Sequence, residues 1–202
     1  MSSTTKTIGP LGNQDMTTSI DLLSDSGPPQ SGGSYLQRVY LGEDEALVIP
    51  FTSTAEPIRL HYVEDEGLGY VPCGGPGCVP CAAGFHFTEH VQLPVYNPAS
   101  GKVEVLVATT AMRPGSLLPQ VKAVLKAAKP VVMIVKREGK KFTVATADIP
   151  ADADHGETAI AAFTKALAEG SVTMASAFPA YDADLLKNLP SVATKLKFKG
   201  LA

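Results

Sequence analysis

Pro57-Ile58-Arg59-Leu60-His61-Tyr62-Val63 has the two-residue period of a half-buried strand. Ile58, Leu60 and Tyr62 fall on one face, Arg59 and His61 on the other. Upstream, Tyr35-Leu36-Gln37-Arg38-Val39-Tyr40-Leu41 and Glu45-Ala46-Leu47-Val48-Ile49-Pro50-Phe51 read as strands around an acidic turn, Gly42-Glu43-Asp44. Downstream, Tyr70-Val71-Pro72 runs into a cysteine cluster. Residues 90–95 and 102–109 form a hairpin through Tyr96-Asn97-Pro98-Ala99-Ser100-Gly101, which has turn chemistry. Residues 131–135 and 142–147 form another through Arg137-Glu138-Gly139-Lys140. Helical patterns cover 116–128, with Ser116 as N-cap and Pro130 as stop, then 158–168 and 182–189. Many short strands with few helices predict a mainly β (α+β) chain, a Greek-key barrel or sandwich with the cysteine cluster as an insertion.

The strand pattern sets the domain organisation. Residues 1–34 are rich in Ser, Thr, Gly and Pro and read as a disordered arm, within which Ile20, Leu22 and Leu23 form a short apolar run. Residues 35–150 form the core, with the insertion over about 61–90, and 151–202 a C-terminal helical extension. In its 202 residues the chain has no apolar run long enough for a membrane span and no basic segment leading into an apolar one, so a cytoplasmic location is expected.

Net charge is only −3, but it is unevenly spread. Residues 1–66 hold three basic and ten acidic side chains, and 149–202 hold five and six. Residues 67–148 reverse the balance, with nine basic and four acidic. A basic island in an acidic chain produces the local field that steers a polyanion.

Three cysteines fall within nine residues, Cys73-Gly-Gly-Pro-Gly-Cys78-Val-Pro-Cys81. An odd, tight cluster does not fit a secreted disulfide framework and fits a metal site. Zinc takes four tetrahedral ligands, and the C-x2-C pair is the usual chelate. Gly74, Gly75 and Gly77 let the backbone curl around an ion without Cβ clashes. The fourth ligand has to be a histidine or an external group; His61, His86 and His90 lie near in sequence, and His155 far. Three cysteines and a histidine would fill the site, so the zinc is expected to be structural. Cys78-Val79-Pro80-Cys81 also has the shape of a redox C-x-x-C motif, but a glycine loop precedes it where a strand is needed, and Cys73 would be left over.

The order His61-x11-Cys73-x4-Cys78-x2-Cys81, with the layout of 47–50, 57–60, 91–95 and 101–103 around it, resembles the core of the T-even phage single-stranded DNA-binding (helix-destabilising) protein family over about residues 45–147. The resemblance implies an OB-fold-like Greek-key barrel with an inserted zinc subdomain and a few peripheral helices. It implies His61, Cys73, Cys78 and Cys81 as ligands of one structural zinc, and selects His61 over His86 and His90. Three features depart from the family: the loop from Cys73 to Cys78 is shorter, only Lys6 is basic among the first 37 residues, and the chain ends in Lys195-Leu196-Lys197-Phe198-Lys199 rather than in an acidic tail.

A single strand is held by cations along its phosphates and by rings stacked on its bases. The candidates are Arg59, Lys102, Arg113, Lys136, Arg137, Lys140 and Lys141 for phosphate, and Tyr62, Phe85 and Phe87 for stacking. Tyr62 shares the apolar face of its strand and Phe85 and Phe87 alternate around His86, so each of these rings also has a core reading. The expected partners are single-stranded DNA and proteins of replication, recombination or repair, with no membrane. A zinc-stabilised β module for protein interaction, without nucleic-acid binding, is the alternative. No nucleophile–base pair, phosphate loop or second metal cluster stands out, so no enzymatic activity is expected. Asp154 and its neighbours read as an acidic turn before a helix rather than as ligands.

Overall fold

The computed structural model describes residues 36–201, apart from 43, 128, 152 and 180. The expected arm over 1–34 lies outside the described residues. Seven strands form one antiparallel sheet: β1 (Ala46–Pro50), β2 (Glu56–Val63), β3 (Gly69–Pro72), β4 (Phe87–Asn97), β5 (Lys102–Thr109), β6 (Val131–Glu138) and β7 (Lys141–Asp148). Five helices accompany them: α1 (Val79–Ala83), α2 (Leu117–Lys126), α3 (Glu157–Ala168), α4 (Ala183–Asn188) and α5 (Pro190–Phe198).

The long strand β4 organises the rest. One edge pairs with β5 from His90–Thr109 to Asn97–Lys102. Its other edge pairs first with β2, from His61–Phe87 to Glu56–Gln92, and then with β1 at Ile49–Tyr96 and Pro50–Val95. β2 continues to β3, and β1 to β6 and β7. Leu93 and Val95 of β4 meet Val48, Leu106, Met133 and Val135 in a buried core that α2 covers with Leu117, Leu118 and Val121. The other face of β4 and β5 packs on Phe163 of α3 and on Met174 and Phe178; Gln92 Nε2 donates to Met174 O at 2.7 Å and ties that segment down.

Two expectations change. The sheet is open: β5 and β7 are not paired among the described residues. α2 stands between them, and the Gln120 amide takes the place of a neighbouring strand on β7. Gln120 Nε2 donates to Phe142 O (2.7 Å), and its Oε1 accepts from Val144 N (3.0 Å). Residues 36–41 make no strand; Arg38 forms a lone parallel bridge with Val105. The helices after residue 150 pack in two places. α3 lies on β5, whereas α4 and α5 pack against α1 in a separate core of Val63, Leu68, Val71, Val79, Leu186, Leu189, Val192 and Leu196. No described helix is long and apolar enough to cross a membrane.

Gly156 precedes α3 with φ +73°, and a Cβ there would run into the ring of Tyr96, which is 1% exposed. Gly156→Ala is expected to destabilise the fold by about 2–3 kcal/mol, from left-handed strain and overpacking together. Urea unfolding of the two proteins measures it.

Candidate metal centre

His61 is fully buried on β2, on the face opposite Leu60. The chain leaves β3 at Pro72, loops through Gly75 (φ +72°) and Gly77 (φ +82°), and enters α1 with Cys78 as its N-cap. Those two left-handed positions return Cys78 and Cys81 to the imidazole; Gly74 has an ordinary φ. His61 Nε2 lies 3.4 Å from Cys78 Sγ and 3.3 Å from Cys81 Sγ, and Cys73 Sγ lies 3.6 Å from Cys81 Sγ. All four donor atoms fall within 4.8 Å of one another. Metal–sulfur bonds of about 2.3 Å and metal–nitrogen bonds of about 2.0 Å give tetrahedral edges of roughly 3.8 Å (S···S) and roughly 3.5 Å (S···N). The observed spacings therefore suit one four-coordinate ion.

The surroundings set the donors' protonation. His61 Nδ1 is 3.2 Å from His86 O. Donation there puts the hydrogen on Nδ1 and leaves the Nε2 lone pair for a metal. Burial lowers the His61 pKa, against hydrogen bonds to His86 and Phe85 that raise it, so the ring is neutral. Burial pushes the Cys73 thiol up, but the Gly75 amide, the two neighbouring thiols and the Arg59 charge bring it below its ordinary value. Cys81 is pushed up to about 12, by burial first and then by the adjacent Cys73 and Cys78. Three thiolates this close repel one another, and a bound cation would relieve that repulsion. The His61–Cys73–Cys78–Cys81 cluster could thus bind a metal ion, and its donors are those of structural zinc sites.

Neither other nearby histidine reaches the site. His86 offers only its carbonyl. His90 points to the opposite face, with Nδ1 at 3.3 Å from Thr88 O and its ring edge-on to Tyr70 at 5.4 Å. Burial holds the His90 pKa below its ordinary 6.5. The unfolded chain therefore binds a proton there that the folded chain resists, and this part of the stability is lost as pH falls through about 6.5. His90→Leu should shrink the fall in stability between pH 7.5 and 6.0, measured by urea unfolding of metal-loaded protein.

The structure gathers some of the nucleic-acid candidates and separates others. Arg59 lies on the His61 face of β2, its Nε 3.4 Å from Glu89 Oε1 and its guanidinium 4.9 Å from the centre of the Phe87 ring. Phe87 is 41% exposed. Glu89 O accepts from Thr110 N at 3.0 Å, and the chain then passes exposed Arg113 to Gly115. Gly115 O accepts from Phe142 N, next to Lys141. Backbone hydrogen bonds thus link the strand end that carries Phe87, beside Arg59, through the segment that carries Arg113, to the β6–β7 hairpin with Lys136 (Nζ 3.5 Å from Glu138 Oε1), Arg137, Lys140 and Lys141, a stretch called the rim below. Lys102 is elsewhere: it pairs with Asn97, ten residues along β4 from Phe87, a span of about 33 Å. Tyr62 is half exposed on the opposite face of β2, edge-on to Tyr70 at 5.3 Å. Phe85 packs into the α4–α5 core with Lys195 Nζ 3.5 Å over its ring. Glu89 and Lys195 were missed; each acts on a ring or cation brought near only by tertiary folding, which leaves no local pattern.

Comparison of the chain with protein-family models, curated proteins and solved structures returned no match.

Proposed function

We propose that this chain is a sequence-non-specific single-stranded DNA-binding protein with an OB-like core and one structural zinc on His61, Cys73, Cys78 and Cys81. The observation that carries the reading is the rim: an exposed ring, Phe87, beside Arg59, continuous with Arg113 and a hairpin holding four cations. Stacking on an aromatic ring with flanking cations is the chemistry that holds a single strand.

The strand order supports it. β1 pairs with β4 and β6, β4 with β5, and β6 with β7, and α2 falls between β5 and β6. This order is similar to that of a five-stranded OB-fold short of one closing pair, if β2, β3 and the metal loop are taken as an insertion after the first strand. OB-folds bind oligonucleotides on their second and third strands and on the loops after the first and fourth. Here β4 and β5 are covered on both faces apart from the exposed Phe87–Glu89 end of β4, and the elements left open are that end, the segment carrying Arg59 and the metal centre, and the β6–β7 turn. The likeness of the ligand order to the T-even phage family points the same way.

The chain has no tryptophan. Phe87→Trp therefore places a single reporter on the rim, and oligodeoxythymidine is expected to quench it as a base stacks. Binding that leaves the emission unchanged would move the interface elsewhere, and no binding would overturn the function.

A further inference from the structure

The last turn of α5 and the residue after it read Lys195-Leu196-Lys197-Phe198-Lys199. Residues 190–202 hold three lysines and no acidic residue. Among the described residues none of these lysines is in an ion pair, whereas Arg59, Lys136, Lys165 and Lys187 each are. Val192 and Leu196 bury one side of the helix, and Phe198, about 200° further round than Leu196, is turned to solvent. At 88% exposed it is the most exposed large apolar side chain among the described residues. Lysines at a helix C-terminus suit the helix dipole. The dipole gives no reason for an exposed ring among them.

This end of α5 adjoins the rim. Lys195 Nζ lies 3.5 Å over the Phe85 ring, and Lys199 Nζ donates to Ala82 O at 3.0 Å. Phe198 neighbours Lys195 on the helix surface, as residues three apart do. Phe85 is two residues before Phe87, the ring beside Arg59, with exposed His86 between them. Arg113 is reached from Phe87 through Glu89, and α5 is reached from Phe87 through Phe85. Cations therefore lie on both sides of Phe87 along the chain. We infer that the C-terminal end of α5 is a further contact region for the same single strand: Lys195, Lys197 and Lys199 take phosphates beyond the base stacked on Phe87, and Phe198 takes another base. The inference rests on the single-strand reading above. Charge complementarity chooses the occupant, since a chain of phosphates carrying unpaired bases meets both the cations and the ring.

The test is fluorescence anisotropy of the full-length, metal-loaded protein with labelled oligodeoxythymidines of about 6 and about 16 nucleotides, the shorter covering the rim alone and the longer near the upper end of OB-fold site sizes. Lys197→Glu with Phe198→Ala, both at exposed positions, should weaken binding to the longer strand by about 50-fold, roughly tenfold for the charge and about fivefold for the ring. Affinity for the shorter strand should change by less than about twofold. Lys165→Glu makes the same change of charge on α3, which packs on the other face of the sheet, and should leave both affinities nearly unchanged. In the otherwise unchanged chain, Phe198→Trp supplies the only tryptophan, and the longer strand should quench it. If the unaltered protein binds the longer strand, an unchanged affinity in the double variant, equal losses for the two lengths, equal losses from Lys165→Glu, or an unquenched Phe198→Trp would overturn the inference and leave the rim standing. Failure of the unaltered protein to bind either strand would overturn the single-strand reading and this inference with it.

Discussion

His61→Ala is expected to abolish tight metal binding and to unfold the module that α1, α4 and α5 build around the site. His61 supplies the one nitrogen among four donors, and its removal leaves three mutually repelling thiols around a small core. Structural zinc contributes on the order of 10 kcal/mol of apparent binding energy in small metal-folded modules, comparable with the whole net stability of a domain. The loss should not stop at the loop. Lys199 Nζ donates to Ala82 O, Lys195 covers Phe85, and Asp65 Oδ2 accepts from Ser191 N at 2.9 Å. The C-terminal helices are thereby fastened to the metal loop. Hydrogen exchange followed by mass spectrometry, on His61→Ala and on chelator-treated protein, should show protection lost over α1, α4 and α5 and kept over β6, β7 and α2. His86→Ala provides the contrast. Only the carbonyl of His86 serves the site and its side chain is exposed, so that variant should bind metal normally. Equal loss in both variants would place the ligand set elsewhere.

The second large effect is electrostatic. Arg113→Glu combined with Lys140→Glu should lower single-strand affinity by about two orders of magnitude at low salt, roughly tenfold for each cation reversed. It should also flatten the salt dependence, by about 0.7 in log–log slope for each phosphate that is no longer neutralised. Both side chains are exposed, so thermal unfolding should barely change. Lys102→Glu carries the same change of charge at the far end of β4 and should cost much less. Equal losses at Lys102 and Arg113 would mean that the cations act through the general field and not through a rim.

The period-two strands and their turns were legible in the sequence because local chemistry decides them. Residues 57–63 and 102–109 alternate, and the turns between hairpin strands hold Asn97, Gly101 and Gly139. The three candidate cysteine donors were legible together, since a C-x2-C pair with a third cysteine nearby leaves few alternatives to a metal site. The choice among His61, His86 and His90 was not, because it depends on which face of β2 and β4 each ring occupies. α1 escaped notice because it is five residues long and is set by the metal loop rather than by any apolar period. α5 carries only Val192 and Leu196 as buried residues among lysines, and its burial depends on a surface more than a hundred residues away in sequence. The open edge of β7 was equally invisible, since the Gln120 amide that occupies it looks like any surface glutamine on a helix.

The central claim is single-strand binding. Its most direct test is fluorescence anisotropy of a labelled oligodeoxythymidine of about 30 nucleotides, long enough for several OB-fold site sizes, titrated with metal-loaded protein at low and moderate salt beside a duplex of equal length. Tight binding to the single strand, much weaker binding to the duplex and a steep loss with salt are the expected result. No single-strand binding at low salt, or equal affinity for the duplex, would contradict it.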